Sequence, residues 1–314
     1  MNKYKSYTIK KIPVIELPSS DVLSIWEHHF VANKPGKKIY LQANLHGPEV
    51  VGIGVLLKLI EIIKGKGLKE GEVKIVVSAN PIGLNSKISG YQVGYKNLNS
   101  TKYANWNKIF KQKITDGSNY GIQVENKLAH VLQTISKGFD VVLDIHSAQN
   151  NIEVIYTFPN TVNLAKTLGI PHIILLNEIF SGHFDESVYF SSGKKSQILT
   201  VELKGGIFNE KYLDYWSKII YKWMYGKNPT GKDISIWNYD FDLKYYTPTS
   251  GLVLPSKNPG DKFDKGDTLV EILKINGEKI PIKALSPGVI YWLPLVQSVG
   301  EGEEVIGVLQ KGKV

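Results

Sequence analysis

Apolar positions along the chain fall into two rhythms. Short, nearly continuous apolar runs at residues 38–45, 73–78, 140–145, 153–158, 172–176 and 197–203 have the length and β-branched content of strands. Longer segments at 50–64, 120–137 and 210–225 carry apolar residues on a helical period. Their alternation predicts an α/β domain over residues 1–240, built on a mixed, mostly parallel sheet flanked by helices. The run at 140–145 is apolar on both faces, which suits a strand covered on both sides. Residues 85–118 are rich in Asn, Gly, Ser, Lys and Tyr and lack a clean period. A stretch of that length inside a compact domain reads as a functional loop. The pattern changes at Gly226-Lys-Asn-Pro-Thr-Gly231. From Pro248 onward short β runs alternate with turns such as Asn258-Pro-Gly-Asp261 and Ser286-Pro-Gly288. They predict a small all-β domain at residues 241–314.

The strand ends carry the chemistry. The run Tyr40-Leu-Gln-Ala-Asn-Leu closes in His46-Gly-Pro-Glu49, just before a helical run begins. A His and a carboxylate three residues apart can point at one metal ion. Downstream, Val141-Val-Leu-Asp-Ile-His146 delivers a second His at a strand end. His46, Glu49 and His146 make the three-ligand set of a hydrolytic zinc site, one ion per chain, with a fourth position open to water. Such strand-to-helix junctions are where open α/β sheets place their sites. Asp144, two residues before His146 and on the same strand face, can orient the imidazole through its other nitrogen.

A hydrolytic metal also needs a proton shuttle. Glu202, in Thr200-Val-Glu-Leu-Lys-Gly-Gly206, sits in an apolar strand-like run, where burial would raise its pKa toward that of a general base. The competing reading is a solvated strand-edge Glu. Asn107 and Lys108, in Asn105-Trp-Asn-Lys108, and Lys87 are candidates for binding a substrate carboxylate or polarising a carbonyl. His28, His29, His130 and His172 read as structural or surface residues, and His183 lies in a polar loop. No Gly-x-Ser-x-Gly elbow, phosphate-binding loop or dinucleotide fingerprint is present.

Composition narrows the classes further. The 314 residues are 42% hydrophobic, enough for a sizeable core, and no apolar run is long enough to span a membrane. The basic N-terminal stretch lacks the apolar segment of a signal peptide, so a cytoplasmic protein is expected. Absence of Cys removes disulfides and thiolate chemistry. The net charge is +9, and all 38 basic residues are Lys. No guanidinium is therefore available for a bidentate grip on a carboxylate. The lysines are scattered and not interleaved with aromatics, which argues against a nucleic-acid partner.

Taken in order, His46-Gly-Pro-Glu49, Asn80-Pro-Ile-Gly83, Asn105-Trp-Asn-Lys108, Asp144-Ile-His146 and Val201-Glu-Leu-Lys-Gly-Gly206 resemble the succinylglutamate desuccinylase/aspartoacylase family of zinc carboxypeptidase-like deacylases. The resemblance runs over roughly residues 35–225, and the C-terminal part is similar to the small β domain that ends many members. It implies zinc on His46, Glu49 and His146, Glu202 as general acid/base, and a small N-acyl amino acid as substrate. Where the family has arginines in its substrate clamp, this chain has Lys108 and Lys87. The expected activity is hydrolysis of a linear amide bond. A metallocarboxypeptidase and a non-catalytic binding protein on the same fold are the alternatives. Oligomeric state is left open.

Overall fold

A computed structural model describes residues 3–16, 19–86, 105–111, 124–227, 233–239, 242–295 and 297–310. The expected loop at 85–118 is therefore described chiefly at 105–111, and Lys87 lies outside the described residues.

Two long strands, β1 (Ser6–Glu16) and β2 (Val22–Val31), precede the first one expected from the pattern. They form an antiparallel hairpin. Both are amphipathic, with one face wet, which is why their apolar runs are broken and easily missed. The α/β series follows as β3 (Lys38–Ala43), α1 (Val51–Lys66), β4 (Glu72–Val76), α2 (Pro81–Ser86), α3 (Val124–Ser136) and β5 (Val141–Ala148). It continues as β6 (Val154–Thr157), α4 (Val162–Lys166), β7 (His172–Leu175), α5 (Phe184–Ser191), β8 (Gln197–Lys204), α6 (Glu210–Trp223) and β9 (Ser235–Asn238). Among the described residues nine strands form one mixed sheet in the order β1-β2-β4-β3-β5-β8-β6-β7-β9. β4, β3, β5 and β8 run parallel to one another at its centre. The mixed, mostly parallel sheet is the one anticipated.

Two apolar layers sandwich this sheet. On one face α1 and α6 pack over Leu41, Ala43, Leu143, Ile145, Leu199 and Val201. On the other, α3 and α5 cover Tyr40, Val142 and Ile198, with Trp106 and Phe184 at the centre. Odd and even positions of the central strands are thus both buried, which explains their unbroken apolar runs. The seat of α1 is tight: a Cβ on Gly52 would lie 2.7 Å from Ala43 Cβ and 3.0 Å from the Ile145 side chain. Glycine here lets the helix approach the two strands that end in the metal-ligand candidates.

After β9 come β10 (Asp242–Tyr246), β11 (Gly251–Pro255), β12 (Lys262–Phe263), β13 (Thr268–Leu273), β14 (Lys279–Lys283), β15 (Gly288–Trp292), β16 (Ser298–Val299) and β17 (Glu304–Gln310). They make two small antiparallel sheets, β10-β17-β15-β12 and β14-β13-β11-β16. Val253, Leu269, Ile272, Ile290, Val305 and Ile306 form a core of their own. These sheets dock on the large one just past the end of β5. Asn151 bridges to Trp292, Ile152 N donates to Tyr291 O at 3.0 Å, and Ile152, Val154 and Trp237 pack against Val289, Tyr291 and Leu309. Among the described residues no helix is long and apolar enough to cross a membrane.

Two of the three glycines of α1, Gly52 and Gly65, respond oppositely to added bulk. Gly52→Leu overpacks the helix–sheet seam and should cost about 1–3 kcal/mol in a urea titration. Gly65→Ala meets nothing within 4 Å and should stabilise by about 0.4–1 kcal/mol through the unfolded chain.

Candidate metal centre

β3, β5 and β8 are adjacent and parallel, so their C-terminal ends open on one edge of the sheet. The loop after β3 carries His46 and Glu49, the end of β5 carries His146, and the end of β8 carries Glu202. His146 and Glu202 are register partners, which places both on the same sheet face, about 4.8 Å apart at the backbone.

The turn between β3 and α1 is held by side chains the sequence offers for that purpose. Asn44 adopts φ +62°, and its amide donates to His46 O at 3.0 Å and Gly47 O at 2.9 Å. Its Oδ1 accepts from Ser78 Oγ at 2.8 Å. Asn80 Nδ2 donates to Leu45 O at 2.9 Å, while Asn80 Oδ1 caps Gly83 N. Gly47 is required by close approach and not by backbone freedom, because a Cβ there would lie 2.3 Å from Gly83 O.

His46, Glu49 and His146 are all buried, and one donor atom from each lies within 4.8 Å of the others. His46 Nδ1 is 2.9 Å from Glu49 Oε1, and His146 Nδ1 is 2.8 Å from Glu49 Oε2. Each imidazole is oriented from behind. His146 Nε2 donates to Asp144 Oδ2 at 3.1 Å, and His46 Nε2 donates to Asn105 Oδ1 at 3.1 Å. With the protons on Nε2, both Nδ1 atoms turn lone pairs toward a carboxylate that also has only lone pairs to offer. Such an array is stable only with a cation at its focus, a proton or a metal ion. Two imidazole nitrogens and a carboxylate oxygen, each backed by an outer acceptor, fit a divalent transition metal.

The charges agree with the geometry. Burial is the largest influence on His146 and disfavours its cation. The carboxylates of Asp144 and Glu49 outweigh it and hold its pKa well above the usual histidine range. For Glu49 burial acts upward, but the positive charges of His46 and His146 and their hydrogen bonds bring it down to about 2. Ser147 N adds a hydrogen bond to Glu49 Oε2 at 3.2 Å.

Glu202 opens onto a cleft of about 450 Å³. Its other described walls are Ala148 and Gln149 at the end of β5, Tyr156 on β6, and Lys244, Tyr291, Trp292, Leu293, Pro294, Leu295 and Glu304 from the C-terminal part of the chain. Tyr156 and Tyr291 hydroxyls are 2.9 Å apart, and Lys244 Nζ donates to Glu304 Oε2 at 3.0 Å.

The remaining sequence candidates fall elsewhere. Asn107 Oδ1 accepts from Phe184 N at 2.9 Å, pinning its loop to the start of α5. Lys108 is exposed, and neither residue lines the described part of the cleft. The residue of this motif that meets the metal-ligand candidates is Asn105, whose Oδ1 also accepts Asn107 N at 2.8 Å. His183 is the N-cap of α5, in a reciprocal box with Glu186. His28 and His29 lie on β2 and bond Tyr7 and Glu72, and His172 accepts from Trp237. Lys244 carried no signal in the sequence, since a single Lys in a β run reads as a solvated side chain.

Residues 35–224 match the family model described as the succinylglutamate desuccinylase/aspartoacylase catalytic domain. No curated protein matches the chain. Two solved structures carrying the succinylglutamate desuccinylase/aspartoacylase name are similar over nearly their whole length. The one from Shewanella frigidimarina NCIMB 400 has 21% identity and a TM-score of 0.86, with 97% of each chain covered. The one from Shewanella amazonensis SB2B has 20% identity and a TM-score of 0.84, covering 96% of this chain and 98% of that one. The ectoine utilization protein EutE (DoeB) from Ruegeria pomeroyi, solved with product bound, has 18% identity and a TM-score of 0.76, covering 99% and 97%.

Metal uptake at this centre should depend on pH with a definite sign. Asp144 and Glu49 favour the His146 cation in the metal-free protein, so an incoming metal must displace a proton. Affinity should therefore weaken as pH falls, by up to about tenfold per unit for one displaced proton. Calorimetry in buffers of different ionisation heat should return about one proton released per metal. In the metal-free protein, the stability contributed by Glu49 should be complete above its ordinary pKa of 4.5 and be lost as pH falls toward 2.

Proposed function

The chain belongs to the succinylglutamate desuccinylase/aspartoacylase family, and from that premise we propose that it is a zinc-dependent amidohydrolase that deacylates a small N-acyl amino acid or a closely related amide. The observation that carries the reading is the convergence of His46, Glu49 and His146 on one point, with Glu202 in register with His146 on the next strand. His46, Glu49 and His146 would hold the zinc. When bound there, zinc would polarise the scissile carbonyl and lower the pKa of a water molecule.

The rest falls to the chain itself. Glu202 takes a proton from the attacking water as its oxygen bonds to the carbonyl carbon. It then delivers that proton to the amide nitrogen as the C–N bond breaks, leaving a carboxylate and a free amine. Asp144 and Asn105 keep the two imidazoles turned so that Nδ1, not Nε2, faces the reaction. The substrate lies in the cleft beside Glu202, against Tyr156, Tyr291 and Trp292. Lys244 is the basic side chain among the described walls of that cleft, and it takes the substrate carboxylate in a chain without Arg. Lys87 and Lys108, the candidates raised by the sequence, are the alternatives to it. A volume near 450 Å³, walled on one side by Tyr291–Leu295, favours a small substrate over a peptide C-terminus.

Two measurements test this. Glu202→Gln should keep zinc and fold while losing about 10²–10⁴ in kcat on an N-acetyl or N-succinyl amino acid. Near-full turnover by that variant would overturn the reading, as would chelator-stripped enzyme that remains active. Lys244→Ala should raise KM for the same substrate about tenfold, the worth of one exposed charge-assisted contact, with kcat little changed. Lys87→Ala and Lys108→Ala, assayed in parallel, identify the clamp if Lys244→Ala has no effect.

A further inference from the structure

Gln42 has no place in the chemistry so far, yet it is fully buried near the C-terminal end of β3. A primary amide in a strand covered on both faces is costly unless all its groups are paired. One end is: Tyr40 donates its hydroxyl to Gln42 Oε1 at 3.0 Å. The other end, Gln42 Nε2, is a buried donor with no acceptor at hydrogen-bond distance among the described residues. The neighbouring strand holds the complementary defect. Asp144 is 1% exposed; its Oδ2 receives His146 Nε2, and its Oδ1 is a buried acceptor with no donor among the described residues.

Gln42 and Asp144 are register partners on adjacent parallel strands. Their side chains therefore leave the same sheet face about 4.8 Å apart. The other register neighbour of Asp144 is Thr200, which gives its hydroxyl proton to Asp185 Oδ2 at 3.0 Å. That leaves the Gln42 amide to meet Asp144 Oδ1, through a small side-chain rotation or a single bridging water. The orientation of the amide is not arbitrary. Tyr40, buried and close to the charges of Asp144 and Glu27, keeps its phenol proton and so acts as donor to Oε1. Turning the amide over would aim Oε1 at a carboxylate.

We propose that Gln42 is the positioning residue of the metal centre: its amide holds Asp144 in the rotamer that receives His146 Nε2–H and so keeps Nδ1 of that imidazole aimed at the metal. The line of contacts runs Tyr40, Gln42, Asp144, His146, from the sheet interior outward. It rests on the reading of His46, Glu49 and His146 as metal ligands, and it assigns to this chain a support for His146 from the neighbouring strand.

Gln42→Met, which keeps length and volume but has no donor, tests it. Metal-free protein, wild type and variant, is titrated with Zn²⁺ against a chromophoric chelator and separately loaded with Co²⁺ for its visible d–d spectrum. Thermal midpoints of the metal-free forms are measured alongside. The expected result is a 10- to 100-fold loss of Zn²⁺ affinity and an altered Co²⁺ spectrum, beyond what the metal-free midpoints account for. Gln42→Glu, nearly isosteric and carrying an acceptor in place of the donor, should weaken binding at least as much; it stands in if Gln42→Met does not fold. Combined with Asp144→Asn, the Gln42 effect should shrink, because both act through one imidazole. Folded variants that bind Zn²⁺ within twofold of wild type, with an unchanged Co²⁺ spectrum, would overturn the role of Gln42 alone. Wild-type protein that takes up neither metal would overturn the metal centre itself.

Discussion

A carboxylate clamped between two imidazole nitrogens is the constraint around which this end of the molecule is built. Glu49, His46 and His146 are buried, and each would be costly there alone. Together they form a closed electrostatic unit, with Glu49 drawn down to about 2 and His146 pushed well up. Because the donors come from the turn between β3 and α1 and from the end of β5, the unit holds only if β3, β5 and α1 keep their relative positions. Much of the surrounding sequence serves that need. Asn44 and Asn80 hold the turn, Gly47 and Gly83 let two backbones touch, and Gly52 lets α1 sit against both strands.

The same region is polar one layer deeper. Gln42, Asp144 and Thr200 occupy one row across the three central strands, beneath the row that holds His146 and Glu202. An apolar row would pack as well. In that row Asp144 gives the His146 imidazole a fixed tautomer, which an apolar residue could not do. The buried polar row follows from the chemistry above it, and it explains why β3 and β5 are not wholly aliphatic.

Away from the metal ligands, the cleft is made by two parts of the chain. The large sheet supplies Glu202, Tyr156 and the end of β5, and the C-terminal sheets supply Lys244, Glu304 and the aromatic wall. Docking at Asn150–Val154, shortly past His146, ties that wall to β5. A chain without Arg has no planar fork for a carboxylate. Under the proposed function, recognition of a substrate carboxylate would rely on Lys point charges, on the tyrosine hydroxyls and on the shape of the wall. Those are properties of how the two parts meet.

The central strands and the helices over them were legible because both of their faces are buried, which leaves continuous apolar runs that punctuation by Gly, Pro and Asn brackets clearly. His46, Glu49, His146 and Glu202 were legible for a related reason: a polar residue at the end of an apolar strand stands out against its surroundings. The β1–β2 hairpin was not, since one wet face breaks its pattern, and α5 was hidden in a polar stretch whose helix begins at the His183–Glu186 cap. Asn105, Gln42 and Lys244 could not be assigned from the chain alone. Each is placed by residues far away in sequence, Asn105 beside His46, Gln42 in register with Asp144 across the sheet, and Lys244 in the cleft beside Glu202. Local pattern determined the fold class and the metal-ligand candidates, because burial and strand ends are local properties. Which side chains support and surround those ligands was decided only when strand register and the docking of the C-terminal sheets brought distant residues together.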